Sequence, residues 1–421
     1  MSDGILRLSL CAGLMACLAG CGGNSNSGGG GGGGGGNPTI VTYTFTDAMP
    51  TAVATQIGTG AYTLASVQSG TLTISVPDGT SNYSIAWVCP NSDIAPNVYL
   101  NELVFQRSTA DGTSFKEGCS SPNPQTGLAT LQVNAAAIAG AAEIMVGQLP
   151  EQAASGSTLS FSGQLVTGTH DVAVVVYDVL GNALAVRILR SQTIPGALNG
   201  GNPVVFAASD ETVSQTVSYT NVPAGFSNLP PFVFFLTSGG AEVVLNSELG
   251  SFLASPSAQY PAMPAGAVES GDYYIFSSNA YANGSPQELI SAEQFTASGG
   301  AVTLAYPAPW AYSGPTAASL PTFSLNYTGF SGMSSVSQFA LIQWHVGSNS
   351  TGITVFATEN YQNGATSITI PNLSGLSGFS GAAPSGTNIY WAAGVQQGSI
   401  SGTPPSGSVQ SVQDNGNYLE P

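Results

Sequence analysis

Charge is what this sequence has least of. Asp, Glu, Lys and Arg make up 6% of its 421 residues, against about 25% in ordinary soluble domains. Twenty-two residues are acidic and five basic, for a formal net charge of −17. The basic ones are Arg7, Arg107, Lys116, Arg187 and Arg190, and none follows Arg190. Nucleic-acid binding needs phosphate neutralisation by basic side chains, so nucleic acid is excluded as a partner. Electrostatic attraction to anionic lipid is excluded for the same reason. Beyond Arg190, stability must rest on packing and hydrogen bonds, and solubility on Ser, Thr, Asn, Gln and backbone amides. A surface with so few fixed charges changes little in acid, where carboxylates neutralise. Acid tolerance is therefore an expectation, and loss of near-UV circular dichroism at mildly acidic pH would contradict it.

Histidine is also scarce. His170 and His345 are the whole complement, and neither stands at ligand spacing from a cysteine, so no metal site is expected. No Asp-x-Asp-x-Asp-Gly calcium loop is present, and no glycine-rich phosphate loop follows a strand, so no cofactor is implied. A nucleophile elbow, Gly-x-Ser-x-Gly, is missing; Gly375-Leu-Ser-Gly378 and Gly378-Phe-Ser-Gly381 place the second glycine one residue early. The local carboxylate groupings are Asp210-Glu211 and Glu269 with Asp272. The first reads as a solvated strand edge, because adjacent strand residues point to opposite faces. The second flanks Ser-Gly in a turn. No catalytic residues are assigned, and the chain is read as a non-enzyme.

Long hydrophobic runs are missing too. The apolar stretch from Leu8 to Leu18 has eleven residues, too few for a membrane-spanning helix of about 20 but suited to the hydrophobic segment of a signal peptide. Leu18-Ala19-Gly20-Cys21 closes it. This resembles the lipobox of bacterial lipoproteins and implies lipidation of Cys21 after removal of residues 1–20. The preceding region is only weakly positive, with Arg7 set against Asp3. Gly22 follows the cysteine, where an Asp would favour retention in the inner membrane. The resemblance thus implies a cell-envelope protein anchored by its lipid, in the outer membrane if the cell has one. Residues 21–37 form a tether containing nine consecutive glycines, Gly28 to Gly36. Such a chain is a flexible coil reaching roughly 20–24 Å, a spacer without recognition content. Of five cysteines, Cys11 and Cys17 precede Cys21, leaving Cys89 and Cys119. In an oxidising compartment these two are expected to pair, closing a loop that contributes about 3 kcal/mol.

What the chain does have is strand pattern. Thr71–Val76, Ser84–Val88, Asp171–Tyr177, Phe232–Leu236, Tyr273–Phe276, Gly352–Phe356 and Asn388–Gly394 alternate or run apolar between Gly, Pro, Asn and Ser. Asn134 to Ile144 is rich in alanine, but Gly140 in its middle argues for a turn between strands. The class is all-β. Gly70-Thr-Leu-Thr-Ile-Ser-Val76 leading into Tyr83–Val88 is echoed by Ser157–Ser162 leading into Val172–Val176. Both read strand, Gly-Thr turn, strand, and suggest duplication or a shared turn chemistry. Pro/Gly clusters place boundaries near 203 and 315. The expected units are 38–203 (one sandwich or two), 204–315 and 316–421. In the last, Trp344 lies on an early strand and Ile389-Tyr-Trp-Ala-Ala-Gly394 on a late one. That unit loosely resembles a fibronectin type III sandwich, and tandem immunoglobulin-like or fibronectin-like sandwiches are the expected architecture. The resemblance implies a binding or spacer module and carries no catalytic residues.

Aromatic rings on loops are the remaining candidates for recognition. Tyr306, Trp310 and Tyr312 sit among prolines and glycine, where exposed faces would stack on sugar rings without any charge. The alternative is that they plug an interface between units. The segment from Pro90 to Gly118 holds Asp93, Glu102, Arg107, Asp111, Lys116 and Glu117 and is a second candidate surface, read by default as a solvated loop. The expectation is a structural or adhesive envelope lipoprotein, with polysaccharide binding as the alternative and polysaccharide or envelope proteins as partners.

Overall fold

Strict alternation of buried and exposed residues, as along Thr126–Asn134, is the signature of a strand with one face on a core. The computed structural model is built mainly of strands, some of this kind and others, such as Asn82–Cys89, buried on both faces. It describes residues 37–420 apart from 47, 90–98, 120–124, 148–151, 154–157, 247–255, 283–287, 311, 329–335 and 348. The signal segment, Cys21, nearly all of the tether and Asp93 lie outside the described residues. Among the described residues no helix is long and apolar enough to cross a membrane.

The strands fall into four successive sets. The first is β1 (Thr39–Phe45), β2 (Ala52–Ile57), β3 (Thr63–Leu64), β4 (Thr71–Val76), β5 (Asn82–Cys89), β6 (Tyr99–Ser108) and β7 (Ser114–Glu117). The second is β8 (Thr126–Asn134), β9 (Glu143–Val146), β10 (Gln152–Ala153), β11 (Thr158–Val166), β12 (Gly168–Tyr177), β13 (Ala183–Ile194), β14 (Gly196–Ala197) and β15 (Val204–Val205). The third begins with β16 (Val213–Thr220), β17 (Phe226–Asn228), β18 (Phe232–Leu236) and β19 (Glu242–Asn246). It continues through β20 (Ser257–Ala262), β21 (Tyr273–Ala282), β22 (Glu288–Thr296) and β23 (Val302–Ala305). The fourth is β24 (Thr322–Ser324), β25 (Val336–Val346), β26 (Asn349–Thr358), β27 (Ser367–Thr369), β28 (Asn388–Ser401) and β29 (Ser406–Leu419). A single helical turn, α1 (Glu359–Gln362), follows β26 and is capped by the Thr358 side chain.

Each set repeats one wiring. The opening strand pairs antiparallel with a later one: β1 with β4, β8 with β11, β16 with β20, β24 with β27. In the first three sets the closing strand returns parallel to the opening one, as β7, then β14 and β15, then β23. The second sheet is built on β2, β9, β18 and β25, each flanked by its hairpin partner on one side and by β5, β12, β21 or β28 on the other. The chain is thus four tandem two-sheet sandwiches. The first two occupy 39–205, so the break expected near 203 falls inside the second set, between β14 and β15, whereas the one near 315 falls between β23 and β24. The two similar sequence pairs are β4–β5 and β11–β12, equivalent strands in consecutive repeats, but neither is a hairpin: β4 and β11 pair with β1 and β8 in one sheet, and β5 and β12 pair with β2 and β9 in another.

The chain divides into two compact units. Met1–Asn123, Trp310–Gln397 and Gln413–Pro421 form the first; Pro124–Pro309 and Gly398–Val412 form the second. In the first unit, repeats one and four share a sheet: β6 lies parallel to β26 from Tyr99 opposite Ser350 to Gln106 opposite Ala357. Its core gathers Val41, Tyr43, Leu72, Ile85, Trp87 and Phe105, and Phe105 stacks on Trp87 at 4.8 Å and on Phe356 at 5.1 Å. Cys89 and Cys119 are joined as a disulfide. In the second unit, Leu131, Ile144, Phe161, Val174, Leu198 and Phe206 lead the core of repeat two.

Candidate functional site

The second candidate surface departs from its solvated-loop reading. Its described residues are mostly strand, because the charges alternate with Phe105 and Phe115 across β6 and β7. Arg107 is buried, its guanidinium 4.0 Å from the Phe115 ring centre and 5.0 Å from that of Phe105. It donates to Glu117 Oε1 at 2.8 Å. Asp111 closes the turn after β6, accepting from the Ser108 amide at 2.7 Å and from Thr358 Oγ1 and Asn360 Nδ2, both at 2.6 Å. These charges hold strands together. Lys116 remains exposed on β7.

The acidic groupings are structural in the same way. Asp210 is on a short turn rather than a strand: it caps the Ala207 amide at 2.8 Å and pairs with Arg187 at 3.1 Å. In the second unit Arg190 donates Nη1 to Asp171 Oδ2 at 2.9 Å and Nη2 to Asp272 Oδ2 at 2.7 Å, with Nη2 also on the Ala267 carbonyl at 2.8 Å. Asp272 further accepts from the Ser238 and Glu269 amides, each at 2.9 Å. Burial alone would raise both aspartates, but their hydrogen bonds and the Arg190 charge hold both below the ordinary carboxylate range. The turn at Glu269 and Asp272 was legible, but Asp272 as an ion-pair partner with no exposed side-chain surface was not. His170 sits between the carbonyls of Val166 and Asp171, and His345 is exposed on β25. Among the described residues no His/Cys/Asp/Glu cluster suits a metal ion.

Of the loop aromatics, Tyr306 and Trp310 are buried and Tyr312 is half-buried. Tyr306, 2% exposed, stacks over Tyr219 at 6.2 Å and shares a 2.7 Å hydrogen bond with Ser278 in the second unit. Trp310, 7% exposed, stacks on Tyr312 at 4.7 Å in the first unit, and Tyr312 meets Trp391 edge-on at 5.7 Å. The prolines that break this segment into a loop also fold its rings onto strand faces. The three rings do not make one exposed stacking platform.

A cleft that sequence reasoning missed opens in the first unit, with a volume of about 370 Å³. Gln56, at the end of β2, and Ala61 and Tyr62, just past it, form one wall. Pro371, Asn372, Ser374 and Leu376, in the loop after β27, form the other. Gln56 Nε2 donates to the Gly60 carbonyl at 2.6 Å, which fixes its amide. Asn372 Oδ1 accepts from the Ser374 amide at 3.0 Å and from Ser374 Oγ at 2.5 Å. The Tyr62 hydroxyl is buried beside the Ser84 hydroxyl without a well-formed hydrogen bond, and burial raises its pKa above the ordinary phenol value. The loop is pinned further along, where Ser380 donates its amide at 2.5 Å, and its hydroxyl, to the buried Glu102 carboxylate. Burial raises the Glu102 pKa against those bonds. No residue lining the cleft carries a formal charge. The signal lay in chain segments more than 300 residues apart, which no local pattern links.

Fold and site together define a tandem β-sandwich protein whose described arginines brace the scaffold and whose cleft is lined without formal charge. No protein-family model matches the chain, and no curated protein matches it.

Proposed function

We propose that the chain is an extracytoplasmic lipoprotein, exported on residues 1–20, anchored through lipid on Cys21 and serving a structural or adhesive role at the cell envelope without catalysis. The observation that carries this reading is the repetition of one charge-poor sandwich wiring four times. Repeating a scaffold multiplies surface, and the described arginines serve the scaffold itself. The Cys89–Cys119 bond suits an oxidising compartment. The outer membrane is the assigned location, with envelope proteins as candidate partners. Palmitate labelling and detergent-phase partitioning of wild type and Cys21→Ser test the anchor. The wild type is expected to take up label and follow the membrane, and the variant to do neither; an acylated, membrane-bound variant overturns it. An antibody that decorates intact cells supports surface display, whereas staining only after permeabilisation assigns the periplasmic face.

The second reading, binding of neutral carbohydrate, is favoured by the uncharged cleft at Gln56 and Asn372. The buried rings of Tyr306 and Trp310 do not support it.

A further inference from the structure

We propose that the cleft between Tyr62 and Leu376 is a binding subsite for neutral saccharide; this deepens the second reading above and rests on it. Its volume of about 370 Å³ lies at the lower end of small-molecule sites and accommodates roughly one or two sugar rings. An uncharged lining gives no advantage to phosphate, carboxylate or ammonium ligands, which need a partner of opposite sign when desolvated. It does suit hydroxyl groups, which both donate and accept. Gln56 Nε2 is held on the Gly60 carbonyl, which leaves Oε1 as an acceptor. Asn372 Oδ1 is held by Ser374, which leaves its Nδ2 protons as donors. The two amides thus offer complementary groups from opposite walls. Pro371 and Leu376 supply apolar surface, and Tyr62 contributes to the opposite wall.

The cleft is also preformed. On one side β2 is paired along its length with β5. On the other, the loop is fixed by the Asn372–Ser374 bonds, by Glu102 gripping Ser380, and by close approach of Gly378 to β2. A Cβ added at Gly378 would stand 2.6 Å from Ala52 Cβ. Rigid walls lower the ordering cost of binding. By contrast, the Arg190 cluster has its charges committed to one another.

The test uses the full-length protein in a detergent without a sugar headgroup, titrated calorimetrically with tetrasaccharides of glucose, mannose and N-acetylglucosamine and with tetragalacturonate. Saturable binding of at least one neutral tetrasaccharide is expected, weakened tenfold or more in Gln56→Ala/Asn372→Ala with the near-UV spectrum unchanged. Ala61→Trp, at an exposed position, fills the cleft without touching the core and should abolish binding even if the double variant folds poorly. Binding unaffected by Ala61→Trp overturns the subsite while leaving a carbohydrate-binding function at another location. Binding to tetragalacturonate alone overturns the neutral specificity. No binding by any of the four overturns both the subsite and the second reading, and the anchored structural role then stands on the Cys21 experiment.

Discussion

Arg190 shows how a chain poor in charge uses the little it has. Its guanidinium joins β13 to Asp171 on β12 and to Asp272 ahead of β21, and the Asp272 side chain has no exposed surface. Gly239 comes so close to this group that an added Cβ would collide with the Asp171 carboxylate. Removing one member of a buried, hydrogen-bonded ion pair leaves an uncompensated charge, at a cost of about 3–5 kcal/mol. Arg190→Met should therefore lower the unfolding free energy of the second unit by about 3 kcal/mol in urea. A change within experimental error would show that the cluster is dispensable. Glu293 is the opposite case. Burial pushes its carboxyl up to about 7, against one hydrogen bond from Ser277, and its Oε2 has no partner. A carboxyl raised in the folded state binds more protons there than in the unfolded chain, so stability falls as pH rises from about 4.5 through about 7. Glu293→Gln should abolish that fall, worth about 3 kcal/mol. Thermal unfolding midpoints from pH 4 to 8 read this directly; parallel slopes in the two proteins would refute it.

At the scale of elements, most strands were legible and their partners were not. Phe232–Leu236 coincides with β18, and Thr71–Val76 with β4, because period-two burial writes itself into the residues. The alanine-rich Asn134–Ile144 is a turn leading into β9, as Gly140 implied; its φ is +81°. The likeness of β4–β5 to β11–β12 was visible because both retained a Gly-Thr pair, but the hairpin reading was wrong, since each pair crosses from one sheet to another. The third and fourth copies of that strand pair, β20–β21 and β27–β28, escaped notice because their connecting loops diverged in length and composition. Pairings such as β6 with β26 join residues about 250 apart, and register over such distances is chosen by packing rather than by local pattern. The misplaced aromatics have the same cause. Pro and Gly around Trp310 mark irregular backbone, but whether a ring on such backbone meets solvent or Trp391 depends on what the rest of the chain brings to it. The cleft was illegible for that reason too.

For the molecule as a whole, acid should be tolerated over a definite window. Between the ordinary range of aspartate and about pH 7, protonation of Glu293 favours the fold. As pH drops below the ordinary aspartate range, the contribution from Asp171 and Asp272 is lost, because their folded-state pKa values are depressed. The expectation of acid tolerance drawn from composition is thus sharpened into two groups of carboxyls acting in opposite senses.

The bracing of the arginines has a consequence for resistance to proteolysis. Enzymes that cut after Lys or Arg must draw an extended, unpaired segment into their active site, so they act on opened states. Arg107 lies between rings, Arg190 is gripped by aspartates, and Arg187 and Lys116 sit within paired strands. No cut is possible past Arg190. Trypsin should leave the native protein intact for hours, and after urea denaturation should release one large fragment beginning at Ser191. Rapid digestion of the native protein would show that β13 or β7 opens readily. If the fragment pattern holds, scarcity of cationic side chains makes the folded chain a poor meal for trypsin-like enzymes.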